Sequence, residues 1–161
     1  MEVRIKTLWI LLLLMAISIG QLSAEVRLPN IVSDGMVLQR DENLKIWGWA
    51  DAGESVSINF RGSEYQATTN TSGKWKATLP GMEAGGPFTM NIATGDGERI
   101  TLRDILVGEV WVSSGQSNME LPMRRVRPMY EQEIANAHND AIRYFNVPNS
   151  YNFQKPQEKL P

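Results

Sequence analysis

The 161-residue sequence contains no cysteine and a single histidine, His138. Without cysteine there is no disulfide framework, so an exported form has to be held together by a hydrophobic core. The same scarcity removes the dense Cys/His ligand set of a zinc or iron site, and no metal or cofactor is expected. Long basic runs are missing as well. Beyond the short cluster Arg124, Arg125 and Arg127 there is no concentration of cations, and the formal charge is −2. That leaves no electrostatic footprint for nucleic acid, and none is expected as a partner. No apolar run reaches the roughly 20 residues that a membrane span takes.

The longest apolar run, Leu8 to Ile19, follows Glu2, Arg4 and Lys6 and precedes Gln21–Leu22–Ser23–Ala24. A basic start, a short apolar stretch and a small residue at the cut are the order of a secretory signal. Residues 1–24 are therefore expected to be a signal peptide. The mature chain is expected to start at Glu25, to be secreted or periplasmic, and not to remain inserted in a membrane.

From Val26 to Arg103 the pattern is one of short strands and turn punctuation. In "SVSINF", Val56, Ile58 and Phe60 alternate with Ser55, Ser57 and Asn59. Period-two alternation buries one face and wets the other. "LKIWGWA" repeats this, with Leu44, Ile46, Gly48 and Ala50 on one face and Lys45, Trp47, Trp49 and Asp51 on the other. "KWKATL", "FTMNIAT" and "ERITLRDILV" are further strands, and Trp75 is expected in the core. The segments between them are rich in Gly, Asn, Asp and Pro, as tight turns require. Strands at this spacing with no helical stretch predict an antiparallel, Ig-like β-sandwich over 25–104.

After Leu102 the pattern changes. "ILVGEVWV" is almost continuously apolar, as strands buried on both faces of a parallel sheet are, and Trp111 is expected to be core. "MYEQEIANAH" allows a helix opened by Pro128, and "AIRYFNV" reads as a second strand ended by Pro148. Strand, polar turn, helix and strand predict the first βα unit of an α/β domain over 105–161. One such unit cannot close a core, so it is expected to be the incomplete start of a longer domain.

Between the strand and the helix lies "SSGQSN". A serine at the carboxyl end of a parallel strand, with a helix starting beside it, has exposure, a rigid mount and nearby backbone donors. Ser117 is the candidate nucleophile, with Gly115, Gln116 and Asn118 as its supporting motif. Met119 stands where a nucleophile elbow of the GxSxG type would carry its second glycine, so that elbow is not supported. On spacing alone an ordinary strand-to-helix loop, with Ser117 or Asn118 as its N-cap, is the commoner outcome.

"RDILVGEVWVSSGQSNMELP", residues 103–122, resembles the sialate O-acetylesterase family, within the SGNH-type esterases. "LPNIVSDGMVLQR" at residues 28–40, "IWGWA" and "SGKW" fit the same family in order. The resemblance implies a β-sandwich ahead of a three-layer α/β domain and cofactor-free removal of acetyl groups from sugars, with Ser117 as nucleophile. It also implies a His oriented by an Asp far downstream, and neither position exists in this chain. His138 is expected to be a solvent-facing helix residue. The chain alone is therefore expected to have negligible esterase activity.

Two alternatives stay open at this point. One is a sugar-binding or interaction module without catalysis, suggested by the Trp47/Trp49 pair. The other is an esterase of the same kind acting on acetylated xylan.

Overall fold

The computed structural model describes residues 25–147. The expected signal peptide and the last stretch, 148–161, lie outside the described residues. Seven strands dominate: β1 Val37–Gln39, β2 Leu44–Trp49, β3 Ser55–Phe60, β4 Ser63–Thr68, β5 Lys74–Leu79, β6 Gly85–Thr94 and β7 Arg99–Gly108. They form a five-stranded sheet in the order β1-β7-β6-β3-β4 and a two-stranded sheet β2-β5.

The two sheets share one core, and alternation decides who enters it. Val56, Ile58 and Phe60 of β3 meet Met90 and Ile92 of β6 and Ile105 and Val107 of β7. From the smaller sheet come Leu44, Ile46, Trp75, Ala77 and Leu79. Ile58, Phe60 and Leu79 are almost completely buried. Each such side chain contributes about 1.5–3 kcal/mol on leaving water, which is what a chain without disulfides must rely on. Trp75 lies in the core as expected.

Local chemistry fixes the corners. Phe60 pairs directly with Ser63, so β3 and β4 are joined by two residues only, Arg61 and Gly62, at φ 51° and 81°. That is the left-handed pair that a tight hairpin requires. The Arg61 guanidinium sits 4.6 Å from the centre of the Phe88 ring. In the turn before β5, Asn70 Oδ1 accepts from the Ser72 and Lys74 backbone N–H groups at 2.9 and 3.0 Å.

Three expectations for the second half are corrected. First, the sandwich is not wholly antiparallel, because β1 runs parallel to β7. Second, "ILVGEVWV" is not a two-sided buried strand. Its first part belongs to β7, paired with β6, while Val110, Trp111 and Val112 lie outside any strand and Trp111 is 85% exposed. A β-bulge lies just ahead of this run. Met90 pairs with Leu102 and Phe88 with Ile105, so between them one residue of β6, Thr89, opposes two of β7, Arg103 and Asp104. Asp104 supplies the extra residue at φ 58°. The bulge slips the phase of the alternation, so Leu102, Ile105 and Val107 all enter the core. The run continues as apolar only because Val110, Trp111 and Val112 are apolar although exposed. The expected domain boundary at 104 falls at this bulge, and β7 stays in the sheet as far as Gly108.

Third, Ala141–Val147 forms no strand, and among the described residues none pairs with it. The expected helix is one short piece, α1 Glu131–Asn136, preceded by 3-10 turns at Ser117–Glu120 and Met123–Met129. Among the described residues no helix is long and apolar enough to cross a membrane.

Candidate active-site turn

The site begins with how the chain leaves the sandwich. β1 and the turn before it grip both ends of the bulged part of β7. Asp34 Oδ1 accepts from the Arg103 N–H at 2.7 Å, and the Gly35 N–H donates to the Arg103 carbonyl at 3.0 Å. Gly35 has φ 74°, a conformation open to glycine at little cost. At the far end, Gln39 Oε1 accepts from the Val110 N–H at 2.9 Å and Gln39 Nε2 donates to Glu109 Oε2 at 3.3 Å. The Arg40 N–H donates to the Gly108 carbonyl at 2.9 Å. "SDGMVLQR" is thus a clamp on β7 and on the first residues after it.

Seven residues after Val110 stands Ser117. It is the first residue of the 3-10 turn Ser117–Glu120, with Gln116 as N-cap in an extended conformation. The Met119 N–H donates to the Gln116 carbonyl at 2.9 Å and the Leu121 N–H to the Asn118 carbonyl at 3.2 Å. Gly115, Gln116, Ser117 and Asn118 are all exposed. Among the described residues the Ser117 hydroxyl has no hydrogen-bond partner, and the Ser117 and Asn118 N–H groups make no backbone hydrogen bond.

Gly115 matters by closeness rather than by a left-handed bend. A Cβ there would stand 2.8 Å from Met119 Cγ, so the glycine admits the Met119 side chain against the turn. The motif residues are therefore brought together as one unit.

His138 is not brought to that unit. It follows the end of α1, is almost fully exposed, and its Nε2 lies 3.4 Å from Asp140 Oδ1. The arginine cluster is also solvent-facing, with Arg127 Nη2 3.7 Å from Glu131 Oε1 in an i,i+4 pair. Among the described residues no group of three or more His, Asp or Glu is arranged to hold a metal ion.

Two residues with no assigned role in the sequence reading shape this region. Arg143 reaches Asp104 at the bulge, and Gln39 ties down Val110. The only signal for Gln39 was its place in "MVLQR"; Arg143 carried none, because its partner is 39 residues away.

No family model matches the chain. Among solved structures it is similar to a carbohydrate acetylesterase from Xanthomonas citri, at 36% identity and a TM-score of 0.78, over 84% of this chain and 31% of that one. Carbohydrate acetylesterases are thus the class to which fold and sequence are related. More particularly, the chain is 33% identical over 131 residues to sialate O-acetylesterase of Rattus norvegicus, covering 75% of this chain and 24% of the rat protein. The corresponding human protein is 36% identical over 110 residues, or 62% and 21%. The resemblance to the sialate O-acetylesterase family that the motifs carry is therefore shown, and the chain spans about a quarter of the length of these curated relatives.

Proposed function

We propose that residues 25–147 form the part of an exported carbohydrate O-acetylesterase that carries its nucleophile, Ser117. The observation that carries this reading is the likeness to a carbohydrate acetylesterase over 84% of the chain, in a chain whose serine motif sits on an exposed turn. Ser117 Oγ attacks the acetyl carbonyl and transfers its proton to a histidine base. The alkoxide of the sugar leaves, taking up that proton, and water then releases acetate from the acyl-serine. The Ser117 and Asn118 N–H groups, uncommitted within the backbone, suit the developing oxyanion.

The base is not His138, which is paired with Asp140 in solvent. The reading takes the histidine and its orienting carboxylate from outside residues 25–147, and the SGNH-type α/β domain opens after Gly108. The apolar leader-like residues 1–24 support export. Acetylated sialic acids are the favoured substrates by the relatives' name.

The test is a chimera joining residues 25–147 to the remainder of the Xanthomonas citri enzyme. It should release acetate from acetylated sugars, and Ser117→Ala should remove that activity. Undiminished turnover by the Ser117→Ala chimera would sink the assignment. The 161-residue chain alone should leave p-nitrophenyl acetate essentially unhydrolysed.

A further inference from the structure

The outer face of the β2-β5 sheet carries an arrangement that the esterase reading does not use. Register puts Trp47 opposite Lys76, Trp49 opposite Lys74 and Lys45 opposite Thr78. Arg27 bridges to Trp49 on the other side and lays its guanidinium 5.9 Å from the indole centre. Directly paired residues point to the same face, so four cations surround two indoles. No Asp or Glu occurs in β2 or β5. Asp51, two residues past Trp49, falls on the same side, and both it and Lys74 have interactions of their own, so Arg27, Lys45 and Lys76 are the cations the face draws on. A local basic face on a chain of net charge −2 has an electrostatic purpose to explain.

The face is also shaped. Trp47, Trp49, Lys74 and Lys76 line a groove of about 640 Å³ together with Thr68 and Asn70. Its floor is held flat from below. Trp75 packs under Gly48, where a Cβ would stand 2.8 Å from the Trp75 ring and 2.3 Å from the Arg27 carbonyl oxygen. Trp47 stays 38% exposed, an unusual position for the largest apolar side chain. Two residues apart on one strand, Trp47 and Trp49 leave the backbone about 7 Å apart on the same face.

We propose that this face binds a carboxylated oligosaccharide, at a site separate from the Ser117 turn. A platform of indoles meets the apolar face of a pyranose ring, Thr68 and Asn70 offer partners to its hydroxyls, and Lys45 and Lys76 meet the carboxylate. The choice of a saccharide over another anion rests on the esterase reading; the binding itself does not involve Ser117. The face would hold the enzyme on an acidic glycan while the serine acts on an acetyl group elsewhere along it.

The experiment is an NMR titration of the full chain, following the indole N–H signals of Trp47 and Trp49. The probes are 3′-sialyllactose, lactose and a hexameric oligothymidylate. Sialyllactose should shift both signals with a Kd on the order of 1 mM, and lactose should bind at least about 10-fold more weakly. Trp47→Ala should weaken sialyllactose binding about 10-fold, and the milder, exposed Lys76→Gln about 3-fold. Added salt should weaken it further. The proposal is overturned by unshifted indole signals, by equal binding of lactose, by indifference to Lys76→Gln, or by tighter binding of the oligothymidylate at the same indoles. Sialyllactose binding by the full chain beside a chimera with Ser117 intact that releases no acetate would count against the esterase reading alone.

Discussion

Arg143 closes on Asp104 with both arms of its guanidinium, Nη1 2.6 Å from Oδ2 and Nη2 3.1 Å from Oδ1. Asp104 is the bulge residue of β7, so the pair fastens the segment after α1 to the irregular point of the sandwich. The bidentate geometry is the strong form of an Arg–carboxylate contact, although both groups remain open to water, which limits its contribution to global stability.

A titration should reveal the pair. Arg143 holds the Asp104 carboxyl below its ordinary range, chiefly through the hydrogen bond. A lowered carboxyl stabilises the folded form above the unfolded value near pH 3.9, and that contribution is lost as pH falls through the folded value. In Arg143→Ala the Asp104 carboxyl resonance should titrate at higher pH than in the parent chain. An unchanged midpoint would mean that the pair does not form in solution.

Glu54 should behave in the opposite sense. Burial foremost raises its carboxyl, and the neighbouring Asp96 side chain adds to the rise. The folded state therefore holds a proton that the unfolded state releases earlier, and stability falls as pH rises between the two values. Glu54→Gln keeps an acceptor for the Asp96 N–H, now 3.3 Å from Oε1, and removes the charge. It should raise the melting temperature at pH 7 and change it little near pH 4.

Gly48→Ala should be among the most damaging single-methyl additions to the sandwich. The new Cβ would collide with the Arg27 carbonyl oxygen at 2.3 Å, a backbone atom that cannot swing away. Denaturant unfolding should show a loss of about 1–3 kcal/mol. Ile58→Ala, at a fully buried position, should cost about 2–5 kcal/mol through the cavity it leaves.

Ser117→Ala and Trp111→Ser should both leave stability within about 0.5 kcal/mol of the parent, because neither side chain is buried. In the chimera, Ser117→Ala should nevertheless reduce turnover by about three orders of magnitude or more. Equal melting temperatures beside unequal rates would separate a chemical role from a structural one.

Where one face of a strand is wet, its fold is legible in the sequence. Val56, Ile58 and Phe60, and Leu44, Ile46 and Gly48, announce their inward faces by alternation, and the structure buries them all. β7 was legible as a strand in "ERITLRDILV", but its inward face was not: the bulge at Asp104 changes phase inside the strand, and alternation carries no information across a phase change. Of the candidate site, the motif 115–118 and its exposed turn were readable. The clamp by Asp34 and Gln39 was not, because those contacts join residues about 70 positions apart.

The sequence by itself determined five of the seven strands, β2, β3, β5, β6 and β7, with most of their buried faces, and the serine motif with its family resemblance, since each is written in local spacing or residue identity. β1 and β4, short or with little buried apolar surface, were not read from it. Only the tertiary structure decided that "ILVGEVWV" divides at Gly108, that Arg143 returns to Asp104, and that Arg27, Lys45, Lys74 and Lys76 gather around Trp47 and Trp49. Those facts depend on which strands lie side by side, and pairing is set by the shared core rather than by any one segment.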